Sequence, residues 1–271
     1  MHARRRDTCG GGGMRLDENG LFSTRLALHH DDALNVLSGL PAGMVDAVIT
    51  DPPYSSGGMV RGDRIAATHI KYSSTGSSKH SAEYDFTGDN RDQRGFAFWA
   101  TMWMTEARRA TAQGGMLMCF TDWRQLPTMT DAIQAGGWVW RGIVPWAKPN
   151  ARPQLGRFTN QAEYILWASN GPLPTFHKGE ASAFRGWVKA MPPMGSRRIH
   201  PTEKPAEVME HLMGPVKAGG IVLDPFMGSG ATGMAALKTG KRFIGCELTS
   251  KYFDIASARL EDVALKMETD A

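Results

Sequence analysis

Apolar positions along this chain follow two alternating rhythms. Short apolar runs predict strands at Arg25 to His29, Val45 to Thr50, Met116 to Thr121, Val139 to Val144, Glu163 to Trp167, Ile221 to Asp224 and Arg242 to Glu247. Between them, helical patterns cover Asp32 to Leu37, Arg94 to Ala112, Trp123 to Ala135, Pro205 to Lys217, Gly230 to Thr239 and Lys251 to Lys266. The alternation predicts a doubly wound, mostly parallel α/β sheet. Two stretches break the rhythm. Residues 55–92 are rich in Ser, Gly, Lys and Asp, and residues 169–200 carry Pro172, Pro174, Pro192 and Pro193. Long irregular insertions in compact domains are usually functional loops or disorder. At the start, Gly10 to Gly13 follow Arg4 to Arg6, so residues 1–20 are expected to be a disordered leader, with Met14 as an alternative start. The expected organisation is therefore that leader followed by one domain over 21–271, with insertions at 55–92 and 150–200.

Composition narrows the class without naming it. The chain has 271 residues, 42% hydrophobic and 21% charged, enough for one large α/β domain. It contains no run of 18 apolar residues and no apolar signal core, so a membrane span is not expected and the cytoplasm is the expected compartment. Cys9, Cys119 and Cys246 lie far apart without Cys-x-x-Cys spacing, so neither disulfides nor a metal cluster is expected.

Charge distribution changes the picture more than the net value of +4. Between 151 and 200 stand Arg152, Arg157, Lys178, Arg185, Lys189, Arg197 and Arg198 against Glu163 and Glu180, a local excess of five. Phe158, Trp167, Phe176, Phe184 and Trp187 are interleaved with them. Such a segment could cover a phosphate backbone and stack on bases. A solvated basic face around core aromatics has the same composition.

Two motifs stand at predicted strand ends. Asp51-Pro52-Pro53-Tyr54 follows the strand Val45 to Thr50, and its paired prolines fix φ and remove amide donors, making a stiff turn with outward carbonyls. Ligands of open α/β sheets bind at such carboxyl ends. The second motif runs Ile221-Val222-Leu223-Asp224-Pro225-Phe226-Met227-Gly228-Ser229-Gly230-Ala231-Thr232-Gly233, with Glu247 ending the next strand. Gly228, Gly230 and Gly233 fit the G-x-G-x-x-G spacing, and an acid at Glu247 suits ribose hydroxyls, so an adenosine-like ligand is indicated but not which one.

Together, Asp51 to Tyr54 and Asp224 to Gly230 resemble the catalytic and cofactor motifs of S-adenosylmethionine-dependent DNA amino-methyltransferases. His200-Pro201-Thr202-Glu203-Lys204-Pro205 resembles the segment that precedes the family's cofactor motif. The catalytic motif comes first and the cofactor motif last, an order similar to the permuted β class. Asp51 to Gly58 and Phe120-Thr121-Asp122-Trp123-Arg124-Gln125 are similar to phage-borne members. The resemblance spans roughly residues 20 to 265. It implies a seven-stranded Rossmann-like methyltransferase sheet with circularly permuted motif order. It also implies DNA as substrate, S-adenosyl-L-methionine as cofactor, and a second copy of the chain and a cognate restriction endonuclease as candidate partners.

The implied chemistry addresses a poor nucleophile, because an exocyclic amine's lone pair is delocalised into the base. Asp51 and the Pro52 carbonyl would each accept one amino hydrogen, Pro53 would stiffen the turn, and Tyr54 would stack on a base flipped from its duplex. Cofactor contacts would come from Pro225, Phe226, Gly228, Ser229, Gly230 and Glu247, with Asp224 joining the ribose contact. Asp32, or its neighbour Asp31, would meet the adenine ring, while Thr202 and Lys204 would hold the amino-acid end. Asp at the first catalytic position leans toward adenine N6 over cytosine N4. A nicotinamide-dependent dehydrogenase or a non-catalytic DNA-binding protein are the alternatives of another class.

Overall fold

The computed structural model describes residues 25–53, 91–151, 153, 155–192 and 204–269. The expected leader, most of the 55–92 insertion, and Tyr54, Arg152, Arg197, Arg198 and Thr202 lie outside the described residues. In chain order the elements are β1 (Leu26–His30), α1 (Ala33–Gly39), β2 (Val45–Thr50), α2 (Gln93–Ala110), β3 (Thr111–Thr121), α3 (Leu126–Ala135) and β4 (Val139–Ala147). Then follow β5 (Ala162–Ser169), β6 (Val188–Lys189), α4 (Ala206–Met213), β7 (Ile221–Asp224), α5 (Ala231–Lys238), β8 (Arg242–Glu247) and α6 (Ser250–Thr269).

All seven predicted strands form, and a two-residue strand, β6, makes an eighth, in the order β1-β8-β7-β2-β3-β5-β4-β6. β1 to β3 with β7 and β8 run parallel, whereas β5 is antiparallel to both β3 and β4. Alternation along the strands splits the core between two faces. Val48, Leu117, Leu223 and Ile244 meet α1, α2 and α3 on one face. Ile49, Met118, Val222 and Phe243 meet α4, α5 and α6 on the other. Helices cover both sides, which is the doubly wound arrangement expected. No described helix is long and apolar enough to cross a membrane.

Boundaries shift where local hydrogen bonding outweighs periodicity. β3 begins five residues before the predicted strand, because Asn170 clamps the glycine pair: Gly114 N donates to Asn170 O and Asn170 N to Gly115 O, each at 2.8 Å. α3 starts at Leu126 rather than Trp123, since Asp122 Oδ1 accepts the amides of Arg124 and Gln125 and holds a turn there. α4 stops at Met213, with Gly214 at its C-cap, instead of reaching Lys217.

Candidate active site and cofactor turn

Because β1, β2, β3, β7 and β8 are parallel, their carboxyl ends share one edge of the sheet. Asp51 follows β2, Asp224 ends the neighbouring β7, Glu247 ends β8 and Asp32 follows β1. Ligands bind at this edge in open α/β sheets, where a chain reversal opens a crevice. The residue just before the first motif is bonded to the second across 174 positions: Thr50 Oγ1 donates to Asp224 Oδ1 at 2.6 Å.

Asp224 is the residue expected to join the ribose contact. It is 2% exposed and occupied within the protein. Thr232 Oγ1 donates to its second oxygen at 2.6 Å, and Phe226 N donates to Oδ1 at 3.0 Å. Burial pushes its carboxyl up to about 6 against the pull of these donors. The residue is therefore an internal staple that fastens β2, β7 and α5 around the glycine turn. Thr50 and Thr232 were missed in the sequence, although a hydroxyl closing the apolar run of β2 was a visible signal.

The turn itself is built from glycine geometry. Gly228 and Gly230 adopt φ of 51° and 85°, in the left-handed region that favours glycine. At Gly228 nothing stands within 4 Å of where a Cβ would sit, so the backbone faces open space. Gly233 has the opposite requirement, since a Cβ there would stand 2.7 Å from Phe243 and 2.8 Å from Leu260. It serves close packing of α5 on the sheet and on α6. Glu247 braces the turn from the next strand: its Oε2 accepts from Gly228 N at 3.0 Å and its Oε1 from Thr249 N at 2.8 Å. Each oxygen keeps further acceptor capacity for a hydroxyl. Phe226 packs against Trp99 and Trp103, with ring centroids 5.4 and 5.3 Å away. Asp32 caps α1 by accepting Leu34 N at 2.8 Å, while Asp31 is exposed and accepts from Asp32 N and Asn35. The open face of Gly228, the Glu247 acceptor and the α5 N-terminus together suit a ribose-bearing cofactor.

On the catalytic side, Pro52 is buried, Asp51 and Pro53 are partly buried, and Lys204 comes to Asp51. Lys204, expected at the cofactor's amino-acid end, stands here against the catalytic turn. Its Nζ lies 2.5 Å from Asp51 Oδ2 and 3.5 Å from Glu163 Oε2, and 5.0 Å above the Phe120 ring. Glu163 Oε1 in turn lies 2.7 Å from Lys148 Nζ. Burial opposes the Lys204 ammonium, but the two carboxylates hold its pKa above the ordinary lysine value. For Glu163 burial likewise opposes charge, and Lys204 and Lys148 win, holding the carboxyl below its usual range. In the sequence Glu163 opens a predicted strand and counts against the basic segment, with no place in the site. As a charged position in the apolar strand Ala162–Ser169 it was legible; the partnership with Lys204 was not.

Of the basic segment, Arg157, Lys178, Arg185 and Lys189 are described and exposed. Phe158 is 99% exposed, and Phe176, Phe184 and Trp187 are also exposed, so these aromatics are not core residues. Glu163 faces inward, which leaves Glu180 as the one described anion of the 155–192 stretch on the surface.

The fold is shared with known proteins. The chain is 26% identical over 267 residues to the type II methyltransferase M2.DpnII of Streptococcus pneumoniae, covering 92% of this chain and 95% of that one. It is also 26% identical over 250 residues to M2.LlaDCHI of Lactococcus lactis subsp. cremoris, covering 86% and 88%. Among solved structures, the M1.HpyAVI complex with SAM superposes with a TM-score of 0.61 at 26% identity, over 87% of this chain and 98% of that one. The cytosine-N4-specific PvuII DNA methyltransferase shares the fold, with a TM-score of 0.63 at 15% identity over 90% and 94%. Residues 45–258 match the N6/N4 methyltransferase family of DNA methylases, and the chain belongs to that family.

Proposed function

We propose that this DNA methyltransferase transfers a methyl group from S-adenosyl-L-methionine to the exocyclic N6 of adenine. The observation that carries the reading is the position of Asp51 one strand from the glycine turn, joined to it by the Thr50 to Asp224 bond. Asp51 and the Pro52 carbonyl accept the two amino hydrogens, which turns the nitrogen lone pair away from the ring. Tyr54 stacks on the flipped base and offsets part of the unstacking cost of a few kcal/mol. Gly228, Ser229, Gly230, Pro225 and Phe226 line the cofactor, Glu247 accepts its ribose hydroxyls, and Asp32 faces its adenine. The bound cofactor supplies an electrophilic methyl on a sulfonium, and the chain's part is alignment of the amine with it.

The segment 150–200 is proposed as the target-recognition insertion, with Arg152, Arg157, Lys178, Arg185, Lys189, Arg197 and Arg198 on phosphates. Exposed aromatics among exposed cations support this reading over that of a merely solvated face. The test is incubation of the protein with labelled cofactor and unmethylated genomic DNA, followed by digestion to nucleosides. N6-methyladenine is the expected product. N4-methylcytosine would overturn the choice of base, and unlabelled nucleosides would overturn the activity.

A further inference from the structure

Four charged side chains from four different parts of the fold form one line of contacts that starts at Asp51. Asp51 extends β2, Lys204 precedes α4, Glu163 sits on β5, and Lys148 follows β4. Their order alternates in sign, with contacts of 2.5, 3.5 and 2.7 Å. Lys204 is 7% exposed, and its ammonium is held over the Phe120 ring. The far end is fixed by the sheet, because Trp146 pairs with Glu163 across β4 and β5 and Lys148 N donates to Gln161 O at 2.8 Å.

Such a line does more than neutralise a buried lysine. A carboxylate paired with one ammonium and nothing else would be pinned and nearly neutralised, a poor acceptor for amine hydrogens. Sharing that ammonium with a second carboxylate weakens its hold, and a second lysine limits how far the sharing goes. We infer that Glu163 is a positioning residue for methyl transfer, acting through Lys204 to set the orientation and basicity of Asp51, with Lys148 as the counterweight. The inference rests on the reading of Asp51 as acceptor of the target amine. Nothing in the line requires contact with the cofactor.

Opposite signs follow for the two ends of the line. Glu163→Gln removes an anion and leaves the ammonium wholly on Asp51, making that carboxylate harder to protonate and less able to accept a hydrogen bond. Lys148→Met lets Glu163 draw Lys204 away and makes Asp51 easier to protonate. Among the described residues, Asp224 on β7 and the buried Cys119 thiol on β3 also feel the Asp51 charge, and both are unchanged in either variant.

The experiment measures kcat against pH on unmethylated genomic DNA, with cofactor affinity measured separately without DNA. For Glu163→Gln the acid limb should move to lower pH by about one unit and the plateau should fall by about tenfold. Lys148→Met should move the acid limb to higher pH, and it decides the matter alone if the buried Gln variant does not fold. Cofactor affinity should stay within about twofold for both. A purely structural pair would lower melting temperature without moving either limb, and that result, or two limbs shifted in the same direction, overturns the inference. A change confined to cofactor affinity overturns it too, by returning Lys204 to the donor side. Asp51→Ala in parallel separates the two levels. If that variant stays active, the reading of Asp51 falls; if it is inactive while the limbs stay still, only the role of Glu163 falls.

Discussion

Thr50 Oγ1 donates a 2.6 Å hydrogen bond to Asp224 Oδ1, so the last residue before the catalytic turn and the first residue of the cofactor turn share one proton. The bond is buried on both sides and joins segments at opposite ends of the sequence. Thr50→Val keeps the shape and removes the donor. A buried acceptor left short of a partner costs about 1–3 kcal/mol, so urea unfolding should show a loss in that range. Cofactor affinity should fall with it. A stable variant that binds cofactor normally would mean that the two turns are held by other contacts.

Asp224 should give the protein's stability a pH dependence of its own. Its folded-state carboxyl is raised from 3.8 to about 6, so the folded state holds the proton more tightly than the unfolded chain does. The stability this contributes is full below about 3.8 and is lost as pH rises through about 6. A shift of about two units corresponds to about 3 kcal/mol. Asp224→Asn imitates the protonated form, so its advantage over the natural residue should grow between pH 4 and pH 7. Unfolding midpoints for both proteins across that range provide the check, and a constant difference would contradict the assignment.

The motif glycines should separate by function. Gly233→Ala drives a methyl group to within 2.7 Å of Phe243, an overpacking that costs about 1–3 kcal/mol of stability. Gly228→Ala faces open space, so its cost to the fold is limited to the left-handed φ, about 1 kcal/mol. That added methyl points where a ligand would approach, and cofactor affinity should drop disproportionately. Thermal melts and calorimetry on the two variants would reveal a reversed order if the turn does not hold the cofactor.

Asp51→Ala should reduce methyl transfer about 10²- to 10³-fold, the usual effect of losing a positioned polar group at a reacting centre. Cofactor affinity should barely change. Glu247→Ala should do the reverse, weakening the cofactor by about 1.5–3 kcal/mol. Calorimetry without DNA and single-turnover assays with it distinguish these two patterns.

Neutralising Arg185 and Lys189 together should flatten the salt dependence of DNA binding, each lost phosphate contact reducing the slope of log affinity against log salt by about 0.9. Cofactor binding should be unaffected. An unchanged slope would take these two side chains off the phosphate backbone.

Much of this was legible because strands of a buried sheet announce themselves as apolar runs. β2, β7 and β8 were read to within a residue for that reason. Neither the antiparallel course of β5 nor the two-residue β6 carries a periodic signal; both depend on which edge of the sheet is free when the chain returns. In the candidate site, motif residues were visible because glycine and proline constrain the backbone wherever they occur. Charge pairing is a different matter. Lys204 and Asp51 are 153 residues apart, and no pattern in either neighbourhood specifies the other. The expectation for Lys204 followed its motif, whereas the carboxylate to which the fold delivers it has no signal in that motif.

The placement of β2 between β3 and β7 bears on how the protein is made. At a synthesis rate of about 10 residues per second, the stretch from Thr50 to Asp224 takes about 17 seconds to emerge. Within that interval β2 gains its partner β3 but no neighbour on its other side, and β1 waits still longer for β8. Contacts of such long sequence separation form late and cooperatively. A nascent chain that already displays the turn beginning at Asp51 therefore lacks the glycine turn that must oppose it. A chain stalled between Thr50 and Asp224 therefore holds the catalytic turn without the Asp224 carboxylate that fastens it.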